Sequence, residues 1–280
     1  MKPSQVSITF DPVVSPTEEI REVAAMVGEL CDRVLDGYSP ETRVCKRYSE
    51  VEAHAMLWLV IRNAEAVCYL AQIDLASFPG AISAARTSFE VAVRALWMLQ
   101  PASAEEREGR WLAHLESEED HHRRMEKRLR EAGRDPKNLL ELADRIGARR
   151  RGIKDGLPVD ATKHDRAPNL EQMLRSLDVP SYYANYMRLS QYVHGTHFAG
   201  SLYRRFKSGK QEIGEFVRPA DWYNAFGAAG TAVRSLGDRI ITLHGDDPGR
   251  FLPLSFLQQF QTSLNKLIKH ESPNNLIKHE

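Results

Sequence analysis

Two long apolar stretches in the first hundred residues constrain the fold of this chain more than any other feature. From about Ser49 to Ala76, apolar residues occupy more than one face of a helix, which is typical of a buried helix. Phe78-Pro79-Gly80 predicts a break, and a second apolar helix is predicted from Ala81 to Gln100, before Pro101. The two stretches therefore predict a central helical hairpin in the core.

The rest of the chain also has a mainly helical pattern, with little strand-like alternation. Pro3 and Pro12 indicate an extended arm over residues 1–14, and Ser15-Pro16-Thr17-Glu18 predicts the start of a helix, capped by Ser15. A small β-hairpin is expected only at 203–218. The sequence thus predicts an all-α multi-helix bundle, with one helical domain over 15–270 and a flexible tail over 271–280. Its other predicted helices cover 104–132, 136–151, 169–177, 180–193, 220–243 and 253–269.

Composition excludes several classes of protein. Lys plus Arg equals Asp plus Glu at 38 each, so a site for a polyanion must be a local basic patch. Cys31, Cys45 and Cys68 form no CxxC pair, which argues against a disulfide framework and a cysteine zinc site. The first residues do not resemble a signal peptide, and no stretch has 18 uninterrupted apolar residues. A cytoplasmic protein without a membrane partner is expected.

The segment from Tyr186 to His194 is the first candidate site. Tyr186, Ser190 and His194 recur every four residues, so they share one helical face, with a drift of about 40° per step. Arg188 lies six residues before His194, about 120° around a regular helix, and joint action would need a widened turn or a second subunit. The alternative interpretation is a buried Tyr-Ser-His network with a purely structural role.

A second candidate is the line of Arg86, Glu90 and Arg94, the only charged residues in the second apolar helix. Side chains four residues apart on a helix contact each other. The line is either a narrow solvent-facing stripe or a polar face turned toward Tyr186, Ser190 and His194, where an Arg-Glu pair could bind an anion.

Basic and acidic clusters offer further candidates. The basic clusters are Arg149–Lys154 and Arg204–Lys210, and in the second Arg204, Arg205 and Lys207 lie beside Tyr203 and Phe206, which could stack on bases. A solvated loop is the alternative for both clusters. Glu118 and His121 have the Glu-x-x-His spacing of helical di-metal sites, but the chain has no second such pair. No metal and no cofactor are therefore expected, although a metal-dependent helical oxidoreductase stays a minor alternative.

Two segments together resemble a known family. Ala84-Ala-Arg-Thr-Ser-Phe-Glu90 and Tyr186-Met-Arg-Leu-Ser-Gln-Tyr-Val-His-Gly195 are similar to a bacterial all-helical family related to HEPN (higher eukaryotes and prokaryotes nucleotide-binding) domains. The resemblance covers about residues 50–200. HEPN proteins are helical bundles, and their active members are metal-independent ribonucleases with an Arg-x(4 to 6)-His motif completed across a homodimer.

The resemblance implies a role for each motif residue. Arg188 and His194 have five residues between them, which matches the motif. His194 would assist attack of a ribose 2′-hydroxyl on its phosphate, and Arg188 would stabilise charge on the phosphorane. This implies a toxin or antiviral effector that acts on RNA, with a cognate antitoxin or regulator as a further partner. The alternative is a non-catalytic protein that binds a nucleotide or a protein partner through Arg86, Glu90, Ser190 and His194.

Overall fold

The computed structural model confirms the all-α class. It describes residues 6–8, 15–38, 45–158, 166–207 and 210–269, with side chains throughout except at 6–8, 205–207 and 210. The predicted tail at 271–280 lies outside these residues. The helices formed by the described residues are α1 (Glu18–Gly37), α2 (Tyr48–Ile73), α3 (Phe78–Leu99), α4 (Ala104–Glu131), α5 (Lys137–Lys154), α6 (Leu170–Ser176), α7 (Tyr182–Val193), α8 (His197–Gly200), α9 (Trp222–Leu243), α10 (Pro248–Phe251) and α11 (Leu254–Lys269).

A small β-sheet accompanies the helices. It contains β1 (Val6–Ile8), β2 (Arg204–Lys207) and β3 (Lys210–Ile213) in the order β1-β3-β2. β2 and β3 are antiparallel and form a hairpin inside the segment where the sequence predicts one. β1 pairs with β3 in parallel, so Val6–Ile8 has the extended backbone that was expected for the N-terminal arm.

Side-chain caps fix several helix starts. Thr17 caps α1 by accepting from the Ile20 N–H at 3.4 Å, so the cap is Thr17 and the prediction of Ser15 is wrong. Ser103 caps α4, and Asn169 forms a capping box with Gln172 at the start of α6. Because these caps satisfy backbone N–H groups locally, they can be read from short segments of sequence.

The break between the two apolar helices lies earlier than predicted. A 3-10 turn over Leu75–Ser77, capped by Asp74, separates α2 from α3, and α3 begins at Phe78. Pro79 and Gly80 lie inside the first turn of α3. Proline is tolerated there because the first N–H groups of a helix have no partner within the helix.

The chain divides into two compact units, so the helical domain expected over 15–270 is described as two parts. The first unit comprises Met1–Thr42, Met56–Val93 and Ser181–Glu280, and the second comprises Arg43–Ala55 and Arg94–Pro180. In the first unit α9 packs closely on α1, where a Cβ added at Gly237 would lie 2.5 Å from Val34 Cγ2. Trp222 is fully buried and donates from Nε1 to the carbonyl of Leu75 at 3.2 Å.

In the second unit, charged residues join α4 to α5. Glu119 is buried and lies 2.9 Å from Arg123 Nη2 and 3.5 Å from Arg150 Nε, and Arg150 also pairs with Glu116. The helices approach closely at Gly147, where an added Cβ would lie 2.7 Å from Glu119 Oε1. These ion pairs belong to the packing of this helix pair.

The prediction that α2 is buried all round is wrong for one of its faces. Leu57, Val60, Ile61, Ala64 and Val67 are fully buried. On the other face Trp58, Leu59, Tyr69 and Ile73 are 38%, 48%, 67% and 53% exposed. Among the described residues, no helix combines the length and apolar character that crossing a membrane requires.

Candidate functional site

A hydrogen-bond network around Arg86 joins α3 to α7. Arg86 donates from Nη2 to the Tyr186 hydroxyl at 2.7 Å and from Nε to Ser190 Oγ at 3.1 Å. Ser190 in turn donates to the carbonyl of Tyr186 at 2.9 Å. Glu90 lies 3.6 Å from the Arg86 guanidinium. Arg86 therefore faces Tyr186 and Ser190 of α7.

His194 lies apart from this network. It follows the last residue of α7, and its backbone N–H donates to the carbonyl of Ser190 at 3.1 Å. Gly195 ends the helix with a φ of 59°, a left-handed conformation that glycine adopts without strain. The imidazole of His194 is exposed and forms no hydrogen bond or ion pair with any described residue. Of the three residues predicted to share a face, Tyr186 and Ser190 are hydrogen-bonded to Arg86, while the imidazole of His194 is not.

Arg188 lines a cavity of about 260 Å³, here named the Arg188 cavity. It is exposed and donates from Nη1 to Asn224 Oδ1 at 3.4 Å, a long and therefore weak bond. α3, α7, α9 and α11 all contribute to the lining. The aromatic lining residues are Phe89, Tyr182, Tyr223 and Phe260, and the polar ones are Asn185, Asn224, Thr231 and Gln261.

Helical spacing accounts for the α7 side of the Arg188 cavity. Tyr182, Asn185, Arg188 and Leu189 recur at three- and four-residue intervals, so they share one face of the helix. On α9 the small residues Gly227 and Ala228 line the cavity. Among the described side chains that line the cavity, Arg188 is the only charged one. The cavity therefore presents one cation beside aromatic rings and amide groups.

Tyr192 follows Arg188 by one helical turn and is a half-buried aromatic residue. Its ring packs edge-on against Phe78, with the ring centres 5.1 Å apart. Burial, with the negative charge of Asp221 as a smaller cause, raises the pKa of the Tyr192 hydroxyl to about 12. Its phenol is therefore neutral at physiological pH and is unsuited to act as a general base.

Several arginines of the two basic clusters make contacts with described residues instead of lying free in solvent. Arg149 stacks over the rings of Tyr48 and Trp111 at 5.1 and 5.4 Å, and Arg150 pairs with Glu116, so both residues stabilise the second unit. Arg204 donates to the carbonyl of His197 at 3.0 Å and lies 2.6 Å from its Nδ1. Arg205 and Lys207 are in β2, and their side chains lie outside the described residues.

Neither the Glu-x-x-His pair nor the buried cysteines form a site among the described residues. Glu118 and His121 lie on α4, and no three His, Cys, Asp or Glu side chains in the described part of the chain could together hold a metal ion. Cys31 and Cys68 are buried, and burial raises the pKa of both thiols, that of Cys68 to about 12. These two thiols are poor nucleophiles at neutral pH.

Comparison with known proteins gave no match to a protein-family model, to a curated protein or to a solved structure. The HEPN resemblance therefore stays a hypothesis carried by two short segments.

The Arg188 cavity was missed by sequence reasoning, which placed Arg188 only in a catalytic motif. Its lining comes from four helices that are far apart in the chain, so no local motif marks it. One signal was available, because Asn185, Arg188 and Leu189 have the spacing of a helical face.

Proposed function

We propose that the protein binds a mononucleotide in the Arg188 cavity. The observation that carries the proposal is a single exposed arginine at the edge of an aromatic and amide lining. A guanidinium forms strong charge-assisted hydrogen bonds with a phosphate. Tyrosine rings offer flat surfaces for a base, and the amides of Asn185, Asn224 and Gln261 can both donate to and accept from its edge.

The size of the cavity favours a small ligand. Small-molecule sites in proteins usually have volumes of about 300–1,000 Å³. At about 260 Å³ the Arg188 cavity falls below this range, so one nucleoside monophosphate suits it better than a dinucleotide. The cavity also differs from the Arg86, Glu90, Ser190 and His194 face that the sequence suggested, because none of these residues lines it.

Arg188→Ala should weaken binding of nucleoside monophosphates about tenfold or more, because it removes a charge-assisted hydrogen bond to the phosphate. Isothermal titration with the four common ribonucleoside monophosphates measures the dissociation constant, and the rise in melting temperature supports it. Arg21→Ala is the matched control, because Arg21 is an exposed arginine of the same unit whose side chain bonds no described residue. Equal affinities for Arg188→Ala and wild type, or no binding at millimolar nucleotide, would contradict the proposal.

The second candidate function is a metal-independent endoribonuclease, and the free imidazole of His194 favours it. A general acid or base needs a side chain that is accessible and not already bonded. Arg188 and His194 lie on different sides of α7, about 120° apart, so a joint site would take its arginine from one copy and its histidine from another. Such an enzyme would be a toxin or antiviral effector restrained by an antitoxin or regulator.

His194→Ala should abolish RNA cleavage by the pure protein in the presence of EDTA. His121→Ala, an exposed histidine of α4, should leave the activity unchanged. Mixing inactive Arg188→Ala and His194→Ala chains should restore about one quarter of the activity, because half of the dimers regain one of their two sites. Identical RNA profiles for wild type and His194→Ala would end this candidate and would leave the nucleotide proposal unaffected.

A further inference from the structure

The exposed apolar face of α2 is a feature that neither proposed function uses. Trp58, Leu59, Tyr69 and Ile73 are between 38% and 67% exposed, and they lie along one side of a 26-residue helix. Exposed single apolar residues are common, but several large ones on one side of a helix mark an interaction surface. The opposite face is fully buried, so α2 carries apolar residues on two faces and only one of them is covered.

The exposed residues lie on one side of α2, here named the seam. Trp58, Arg62, Glu65, Tyr69 and Ile73 are separated by four, three, four and four residues, so they share one face of the helix. Leu59 and Ala66 lie beside this line. A second helix laid along this seam would cover the apolar side chains that are now exposed.

The charged residues on the seam indicate which kind of helix could pair with α2. Arg62 and Glu65 are 66% and 42% exposed and pair with each other at 2.7 Å within α2. If a second α2 runs antiparallel about a two-fold axis between Asn63 and Ala64, Arg62 lies opposite Glu65 of the partner subunit. In the same register Trp58 lies opposite the partner's Tyr69. The seam is therefore complementary to itself in charge and in the placement of its aromatic residues, as a two-fold interface requires.

We infer that two copies of this chain associate through an antiparallel pairing of their α2 helices, with Arg62 of each copy bonded to Glu65 of the partner subunit. The inference depends on α2 alone and on neither proposed function. A single helix pair is at the small end of stable interfaces, so the dimer should dissociate in the micromolar range.

Sedimentation velocity over about 1–200 µM protein tests this pairing, because that range brackets a weak interface. Wild type should approach twice the 31.8 kDa mass of one chain at high concentration. Tyr69→Glu should stay monomeric. Leu254→Glu, which changes an equally exposed apolar residue on α11, should dimerise like wild type.

Charge reversal tests the register. Arg62→Glu and Glu65→Arg should each raise the dimer dissociation constant about tenfold or more, because each puts like charges opposite one another. The double variant Arg62→Glu/Glu65→Arg should return it to within about threefold of wild type. A wild-type chain that is monomeric at the highest concentration overturns the inference. So does a dimer that survives Tyr69→Glu, or one that is indifferent to both single reversals.

Discussion

Replacing Arg86 with methionine should lower the free energy of unfolding by about 2–3 kcal/mol, because two hydrogen bonds between α3 and α7 are lost together. Arg86 donates to the Tyr186 hydroxyl at 2.7 Å and to Ser190 Oγ at 3.1 Å, and its side chain is only 21% exposed. Methionine keeps most of the aliphatic length, so the loss measures the polar contacts rather than packing. Urea denaturation followed by circular dichroism gives the value.

Two control variants show whether the loss of stability comes from the Arg86 hydrogen bonds or would follow any substitution on α3. Thr87→Ala removes an exposed hydroxyl that donates only to Ser83 of its own helix, and it should change stability by less than about 0.5 kcal/mol. Arg86→Lys keeps the charge but cannot reach both acceptors, so its stability should fall between those of methionine and wild type. If Arg86→Met and wild type unfold at the same urea concentration, packing alone holds α7 against α3.

Substitutions of Arg86 and of Arg188 should affect different measurements, stability in the first case and ligand affinity in the second. Arg86 is partly buried, and it donates hydrogen bonds to Tyr186 and Ser190 of α7. Its replacement should therefore act mainly on stability. Arg188 is exposed with one weak bond to Asn224, so Arg188→Ala should affect ligand binding and leave stability almost unchanged. We therefore expect Arg86 to position α7 and Arg188, on the other side of α7, to contact the ligand.

Local signals predicted the helices well. Ser103 and Asn169 are side chains that cap the segment following them, so the starts of α4 and α6 could be read from a few residues. The same logic misplaced two boundaries where local signals compete. Thr17 caps α1 although Ser15 is nearby, and Pro79 lies within the first turn of α3 although proline often ends a helix.

Contacts between distant segments could not be predicted in the same way. The four-residue spacing of Tyr186 and Ser190 showed that they share a face, but only the packing of α7 on α3 shows that Arg86 lies against them. The Arg188 cavity depends on side chains from residue 89 to residue 264. The apolar pattern of α2 predicted burial but could not say that one of its faces stays uncovered in a single chain.

Replacing Glu108 with alanine should cost about 3 kcal/mol of stability, because it leaves two buried donors without an acceptor. Glu108 is 3% exposed, and its Oε1 accepts from the backbone N–H of Ser49 at 2.7 Å and from the Ser49 hydroxyl at 2.6 Å. Ser49 is fully buried in the first turn of α2, where the helix has unpaired N–H groups and its dipole favours a negative charge. A carboxylate from α4 thus serves as the cap of α2.

The choice of variant distinguishes this cap from a simple loss of volume. Glu108→Gln keeps an acceptor oxygen at the same position and loses only the charge, so it should recover about half of the 3 kcal/mol lost by alanine. Glu131→Ala, at the exposed end of the same helix, should be neutral within about 0.5 kcal/mol in the same urea titration. If glutamine and alanine were equally destabilising, the charge on Glu108 rather than its hydrogen bonds would hold the first turn of α2. Near-wild-type stability of both variants would mean that Ser49 finds another acceptor and that α2 needs no cap from α4.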